Sequence, residues 1–460
     1  MRIPVEHSLS GNFWLATNEG RKVPGNLTVR DGGSIELEIL EAFNETGNAL
    51  FDDQELPRIC GLVEKEGFVT LENCFFTSSM HSFGVPAKSV IHVGQLICGV
   101  AYEKNEQILL NSFCFSVEGL DEWIGLSGIS TQYHENCSEM DIKFRQINKV
   151  QYVLPSEMKL EIAYSYNLPG PPYWRETTIK QKAHLVIKSE TPRQLSEFQG
   201  VVHRITNLLS LAIDETVAVD EASYTSESIT DELASGKLIP RQIKLIYPSI
   251  SFLQSPPRIN FRSMLFRLKN IKDFNRTLKN WFEAYDVVWP SLGLYFNSRL
   301  QPNKYNEGKF LALAQGVESL HRRSADETHF ADAEFDELVE TLIETCPDTY
   351  KEWLKGKMTY ANEIPLRKRL TRVMKPFQRH FGNAKSRSSL IAKIVDTRNY
   401  FTHWDESLKS KAASSGQLYG ICLKLEAMLQ LSFLAILGFD EDEIDAIVKN
   451  NHRLSQKLRL

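Results

Sequence analysis

The amino-acid sequence predicts an α+β protein of two domains, a β-rich N-terminal domain followed by an all-α helical bundle. Before Pro192, apolar and polar residues alternate in short runs separated by turn residues, which is typical of strands. Beyond Pro257, apolar residues recur at helical spacing with few strand signals. Consecutive prolines resist both helix and sheet, so the pair Pro256-Pro257 predicts domains 1–255 and 256–460.

The predicted strands of the first domain begin with a hairpin around Asp31-Gly32-Gly33. They cover residues 27–30, 34–39, 67–71, 89–100, 107–117, 142–153, 158–166, 177–187 and 242–247. A helical period over 195–209 predicts one helix covering the sheet, and the polar stretch 225–237 is interpreted as a loop. The predicted helices of the second domain cover residues 261–286, 307–323, 332–346, 364–381, 387–404, 415–438 and 441–450.

Composition indicates an ordinary globular protein, with 42% apolar and 24% charged residues in a chain of 460. The net charge of −5 excludes a nucleic-acid-binding polycation, so any such surface must be local. Seven dispersed cysteines without a CxxC pair predict reduced thiols and a cytoplasmic location. No apolar signal segment stands at the start, and the most apolar run, 429–439, is too short to span a bilayer, so we expect no membrane association.

One segment, residues 396–404, concentrates the chemistry of the chain. Arg398 offers a fork of donors to phosphate oxygens, and His403 is the side chain best suited to move protons near neutral pH. On a helix capped by Ser388 or Ser389, one apolar stripe would consist of Ile391, Ile394 and Val395, with Arg398 near its middle. Asn399 and His403, four residues apart, would share the flank of this stripe. An arginine on an apolar face needs a charged or hydrogen-bonding partner or a solvent-filled cleft, so we expect a groove or an interface there.

Two further features bear on this segment. A run of cations without an acid precedes it and is typical of a local surface that holds phosphate backbones. These candidate nucleic-acid-binding residues are Arg367, Lys368, Arg369, Arg372, Lys375, Arg379, Lys385 and Arg387. The alternative for the run is a solvated helix face, and the alternative for Arg398 is a structural ion pair with Asp396 or Glu318.

The hexapeptide from Arg398 to His403 resembles the arginine–polar–x3–histidine signature of HEPN-domain ribonucleases. Residues 307–323 are similar to the first core helix of ApeA-like HEPN domains, and residues 115–123 resemble part of the β-rich domain that precedes it in ApeA anti-phage proteins. The resemblance implies metal-independent endoribonuclease activity in an effector of abortive infection, with no cofactor and no metal. It implies RNA as partner, a homodimer with facing motif helices and, at the N-terminal domain, a regulatory role with a candidate phage-derived trigger.

The resemblance also implies roles for individual residues. His403 would act as general acid or base, Arg398 would stabilise charge on the phosphorus oxygens, and Asn399 would orient one or the other. Glu318 and Asp396 are candidate supporting acids. Two other functions stay open on the residues alone: a non-catalytic RNA-binding module that uses the basic run, or a scaffold or ligand-binding protein in which Arg398 is structural.

Overall fold

A computed structural model describes residues 1–40, 43, 56, 58–80, 88–135, 138–171, 175–300 and 306–459 of the chain. It divides into two compact units, Met1–Lys279 and Asn280–Leu460. The predicted boundary at 255/256 lies inside the first unit.

The first unit is built mainly of antiparallel strands. They are β1 His7–Leu15, β2 Asn18–Arg30, β3 Ser34–Ile39, β4 Ile59–Val63, β5 Gly67–Met80, β6 Lys88–Cys98, β7 Leu109–Val117, β8 Ile129–Tyr133, β9 Met140–Phe144, β10 Val150–Val153, β11 Lys159–Asn167, β12 Lys180–Gln194, β13 Val219–Thr225, β14 Thr230–Glu232, β15 Leu238–Pro240 and β16 Ile243–Ile246. Two helices, α1 Leu120–Ile124 and α2 Leu195–Ile213, accompany them.

Twelve of these strands form one sheet in the order β10-β11-β12-β7-β13-β16-β6-β3-β2-β1-β4-β5. An additional pairing between β5 and β6 closes the last six into a barrel, so those strands have no free edge. Every second side chain of these strands points into the barrel; Leu27 and Val29 of β2 and Ile35 and Leu37 of β3 are fully buried. Helix α2 packs on the rest of the sheet, where the rings of Phe198 and Phe113 stack.

The second unit consists of helices, and the first of these helices begins at Phe274, within the first unit. They are α3 Phe274–Leu300, α4 Asn306–Ser324, α5 Asp332–Thr345, α6 Asp348–Met358, α7 Leu366–Met374, α8 Ala384–His403, α9 Ser415–Leu437, α10 Glu441–Asn450 and α11 His452–Arg459. Short 3-10 turns cover Lys375–His380 and Glu406–Leu408.

Helix α9 is the centre of the helical unit. Among the described helices it alone is long and apolar enough to cross a membrane, but 72% of that stretch is buried inside the protein, as is typical of a core helix. The sequence predicted a core helix here but underestimated the length of its apolar part. Helix α9 packs closely on α4 at Gly316, where even a Cβ would come within 3.4 Å of the Leu429 side chain.

A polar network crosses the core of the helical unit between α9 and α11. The Lys457 ammonium lies 3.2 Å from the Glu426 carboxylate and donates to the Gln430 side chain at 3.1 Å. Lys309 approaches the same carboxylate to 2.6 Å. Burial opposes ionisation of Glu426, but the two lysine charges outweigh it and hold its pKa below the ordinary value. The buried carboxylate therefore depends on both cations.

The fold class predicted from sequence is confirmed, and several element boundaries differ. Residues 261–273 do not form an α-helix: they contain one 3-10 turn, Leu268–Asn270, after an irregular stretch in which Met264, Leu265 and Phe266 are buried. The predicted strand 142–153 is two strands, β9 and β10, and the polar loop 225–237 contains the strand β14. Helices α6 and α11 were not predicted.

Candidate active site

Helix α8 carries the motif, and it begins four residues earlier than the predicted serine cap. Gly382 adopts a left-handed conformation with φ 78°, which places Asn383 at the N-cap. The Asn383 side chain accepts a hydrogen bond from the backbone N–H of Ser386 at 2.9 Å. Ser388 and Ser389 therefore lie inside the helix.

The buried face of α8 consists of Ile391, Ile394 and Thr397. A threonine can continue this apolar face because its hydroxyl is satisfied: it donates to the Lys393 carbonyl at 2.6 Å and accepts from the Ala413 N–H at 2.9 Å. Around the helix Arg398 falls between Ile391 and Ile394, so it continues the buried face into a half-exposed position. Thr397 also fixes the segment after α8 against the helix, a role that the sequence alone did not indicate.

Arg398 is held from two sides and remains partly open to solvent. Its Nη2 lies 3.8 Å from Oε2 of Glu318 on α4, and its Nη1 donates to Oδ1 of Asn399 at 3.4 Å. The side chain is 35% exposed. These two contacts orient the guanidinium. Because both are long, its donors can still bind an anion.

Glu318 is shared between two arginines. Besides its approach to Arg398, it accepts from Arg322 at 3.3 Å, and Arg322 in turn lies 2.6 Å from Glu363. Of the two candidate supporting acids, the structure brings only Glu318 to Arg398. Asp396 lies two positions away on α8, about 200° around the helix, and makes no ion pair among the described residues.

His403 is the last residue of α8, and its side chain is exposed. Five positions separate it from Arg398, so the two side chains leave the helix about 140° apart and about 7.5 Å apart along its axis. Asn399 lies between them and is about 40° from His403 around the helix. The two proposed catalytic groups of one chain therefore diverge, and neither blocks the other's access to solvent.

Helix α8 ends in a tight turn beside His403. Trp404 caps the helix in the left-handed conformation, with φ 51°, and 65% of the residue is exposed. Its ring contacts those of Tyr400 and Phe401. Asp405 follows and accepts from the Ser407 N–H; hydrogen bonds from Ser407, helped by the nearby His403, hold the Asp405 pKa below its ordinary value. The turn thus places an exposed aromatic ring next to the motif, together with a carboxylate that sequence reasoning did not assign to the site.

The basic run is less free than the sequence suggested, because acids from distant segments neutralise part of it. Arg372 and Lys368 both contact Glu327, at 2.9 and 3.2 Å. Arg379 contacts Glu441 at 2.9 Å and Asp445 at 2.8 Å.

Arg369 departs furthest from the expected RNA-binding surface. It is 3% exposed, donates to the Ile364 carbonyl at 3.1 Å and approaches Glu363 at 3.5 Å. Its guanidinium is part of the core, since these acceptors and not solvent surround it.

The remaining cations of the run have no acidic partner among the described residues. Arg367, Lys375 and Lys385 are exposed, and Arg387 donates to the backbone carbonyls of Gln378 and Gly382. Three of them line one groove of about 430 Å³ between α7, the following 3-10 turn and the first half of α8. Its lining residues are Arg367, Thr371, Met374, Lys375, Gln378, Ala384, Arg387, Ser388 and Ile391.

The first unit has a larger cavity of its own, about 830 Å³, on one face of the sheet. Ser165, His184 and Glu221 lie in its lining. The Ser165 hydroxyl is 2.8 Å from Nε2 of His184, whose pKa is lowered by burial. The cavity gives this unit room for a small ligand.

Comparison with known protein families adds to this geometry. Residues 8–281 match the family described as ApeA N-terminal domain 1, which is more than half of the chain. The chain belongs to the ApeA family. Residues 311–443 match the Apea-like HEPN family, and this range contains α8 with the whole motif. No curated protein and no solved structure matches the chain.

Membership fixes the class of the protein. HEPN domains are generally ribonucleases that bind RNA and dimerise, and the ApeA family belongs to anti-phage defence. The chain is therefore, at the level of class, an ApeA-type protein with a nuclease-type HEPN domain. The match also covers α4, so Arg398 and Glu318 lie within the same HEPN domain.

Proposed function

We propose that this ApeA-family protein is an endoribonuclease that cleaves RNA, without a metal ion, through Arg398, Asn399 and His403. The observation that carries the proposal is the solvent exposure of the motif residues at the end of α8. Arg398 is oriented by Glu318 yet partly exposed, and His403 is exposed one and a half turns later. Structural residues of this kind are usually buried and fully paired, as Arg369 is.

Each residue has a chemical role in this proposal. One imidazole removes the proton from a ribose 2′-hydroxyl, and the 2′-oxygen attacks the adjacent phosphorus. The bond from phosphorus to the 5′-oxygen breaks, and a protonated acid returns a proton to that oxygen. A 2′,3′-cyclic phosphate and a 5′-hydroxyl result, so RNA and not DNA is the substrate. Proton transfer by His403 contributes roughly 10²–10⁴-fold.

Arg398 supplies positive charge where negative charge develops. Its guanidinium binds the non-bridging phosphorus oxygens, and the interaction strengthens as the transition state gains charge. Asn399 accepts from Arg398 at 3.4 Å and shares the flank of His403, so it is placed to orient either group.

The divergence of Arg398 and His403 on one helix supports a homodimeric site. A second α8 facing the first would bring the arginine of one chain near the histidine of the other, and the cleft between the helices would admit a single strand. We propose this arrangement for the active enzyme. The exposed ring of Trp404 next to His403 lies at the same end of the helix.

We further propose that the protein is cytoplasmic and that the first unit restrains the nuclease until infection. The 830 Å³ cavity beside Ser165 and His184 is the place where this unit would bind a phage-derived trigger of small size.

The test is cleavage of a fluorescent single-stranded RNA by purified protein in EDTA. We expect His403→Ala and Arg398→Ala to lose cleavage by at least about 100-fold while their melting temperatures stay near that of the parent. His329→Ala is the matched control, since His329 is an exposed histidine of the same unit far from α8 in sequence. Products of the parent should carry a cyclic phosphate.

Other outcomes identify the alternatives. Salt-sensitive RNA binding without cleavage by the parent protein would indicate a binding module. A melting temperature that falls sharply in Arg398→Ala, with His403→Ala still active, would indicate a structural arginine.

A further inference from the structure

We infer that the groove lined by Arg367, Lys375 and Arg387 is a phosphate-binding subsite for the RNA backbone, several nucleotides from the scissile linkage. This inference rests on the proposed nuclease function and deepens it. The groove, here called the basic groove, is defined by its lining between α7, the 3-10 turn and α8. The inference predicts that efficient cleavage requires an RNA long enough to reach from the basic groove to the motif residues Arg398 and His403.

The first argument is the distribution of charge. Acids neutralise the cations of the run that lie outside the basic groove, with Lys385 the exception; these cations are Lys368, Arg369, Arg372 and Arg379. The three cations inside it have no acidic partner in the part of the chain that the structure describes. A concentration of unneutralised positive charge in one concave site favours an anion.

The second argument is the way in which Arg387 is held. Its Nη1 donates to the backbone carbonyls of Gln378, at 3.3 Å, and Gly382. Carbonyl acceptors fix the guanidinium in place without cancelling its charge, and its remaining donors are available. Lys375 and Arg367 are exposed and can adjust to a phosphate.

The third argument is alignment with the motif. Arg387 and Arg398 are eleven residues apart on α8, which is three turns plus about 20°, so both lie on the same face of the helix. Their axial separation is roughly 16 Å. At 3.4 Å per nucleotide of a stacked strand this corresponds to about five nucleotides. Ile391 and Ile394, which lie between the two arginines on this face, are buried. A strand that reaches both arginines therefore passes beside this face and spans at least about five nucleotides.

The floor of the basic groove also fits a backbone rather than a base. Met374 and Ile391 are buried at the bottom, and Thr371, Gln378 and Ser388 add polar groups around the cations. None of the lining residues is aromatic, so the groove has no platform on which a base could stack. Recognition there would depend on charge and be independent of sequence.

The test compares two RNAs, of four and of twelve nucleotides, each with one cleavable linkage at the same end and 2′-deoxy sugars elsewhere. The variant Arg367→Ala/Lys375→Ala removes two cations whose side chains make no hydrogen bond or ion pair among the described residues. We expect its KM for the long RNA to rise roughly tenfold with kcat unchanged, and its kinetics on the short RNA to stay at the parent values. The salt dependence of long-RNA binding should lose about 1.4 from its logarithmic slope, 0.7 for each phosphate contact.

Arg372→Ala/Arg379→Ala is the matched control, because it removes the same charge from neighbouring positions that face acids. An equal rise in KM for this control, or for the short RNA, would show a general charge effect and overturn the inference. No rise for the long RNA would overturn it as well. A third outcome is that inorganic phosphate binds the parent and not the Arg367→Ala/Lys375→Ala variant, while both proteins have the same KM for the long RNA. This result would assign the groove to a free phosphate compound and overturn the inference.

The inference and the proposed function can fail separately. A parent protein that cleaves RNA while the groove variant behaves like the control would leave the nuclease standing without this subsite. A parent that never cleaves would remove the proposed function, and the anisotropy of a labelled twelve-nucleotide RNA would then decide the groove. If the parent and the groove variant bind this RNA with the same affinity and the same salt dependence, the inference about the basic groove is refuted.

Discussion

The guanidinium of Arg398 lies 3.8 Å from the carboxylate of Glu318, which reaches it from the neighbouring helix α4. The same carboxylate holds Arg322, so one acid serves two cations. This arrangement orients Arg398 without consuming its donors, and it makes Glu318 a positioning residue for the arginine.

Glu318→Gln should therefore affect cleavage more than stability. The pair is long and partly exposed, so we expect it to contribute less than about 1 kcal/mol to the free energy of unfolding. A roughly tenfold loss of kcat should accompany the change, because Arg398 is no longer oriented. Single-turnover kinetics and thermal melting would measure the two effects. Arg322→Met is the control, and if it lowers kcat as much as Glu318→Gln does, Arg398 is not the residue that Glu318 positions.

The buried hydroxyl of Thr397 should be important for stability. Thr397→Val keeps the shape and removes the bonds to the Lys393 carbonyl and the Ala413 N–H, so we expect a loss of about 1–3 kcal/mol in urea denaturation. Thr402→Val is the comparison, since Thr402 is exposed and, within the described part of the chain, its hydroxyl bonds only to the Arg398 carbonyl of the same helix. Equal losses in the two variants would contradict the proposed role of Thr397.

The conformation of Trp404 predicts an unusual order of stability. A left-handed residue other than glycine costs about 1–2 kcal/mol, and Trp404→Ala keeps that cost while Trp404→Gly removes it. The glycine variant should therefore unfold at higher urea than the alanine variant, by about 1 kcal/mol, although both lose the ring contacts. The reverse order would show that the turn is not strained.

His321 should make the helical unit less stable in mild acid. Burial, helped by Arg369, Arg372 and Lys368 and opposed by Glu327, lowers its pKa below the ordinary 6.5. The unfolded chain then binds a proton that the folded chain does not, so stability falls as pH falls through 6.5 towards the folded pKa. Denaturation of the parent and of His321→Gln at pH 7.5, 6.5 and 5.5 would measure this. We expect the parent to lose more stability than the variant, and parallel losses would refute the assignment.

Local signals were enough to predict the elements that are fixed locally. Helix α10 has the predicted bounds because Asp440 and Glu443 form a reciprocal cap that the sequence displays. Strands β2 and β3 were recognised from their alternation around a glycine turn. The segment before α3 was misassigned since its apolar residues are buried by contacts distant in sequence.

The motif residues could be named from sequence, but their surroundings could not. Glu327 and Asp445 are 45 and 66 residues from the arginines that they neutralise, so a run without acids looked wholly free. Thr397 looked like an ordinary polar neighbour of Arg398, because its partner Ala413 lies beyond a turn that only the fold brings back.

The carboxylate of Glu426 in the core of the helical unit has a consequence for how a cell makes this protein. One of its two lysine partners, Lys457, lies on α11, which leaves the ribosome after α3 to α10. Until that lysine emerges, Lys309 is the lysine that compensates the carboxylate, so enclosing it costs more than in the finished unit. Closure of the helical unit around this carboxylate is therefore coupled to synthesis of α11, and a chain cut short before α11 would fold into a less stable helical unit.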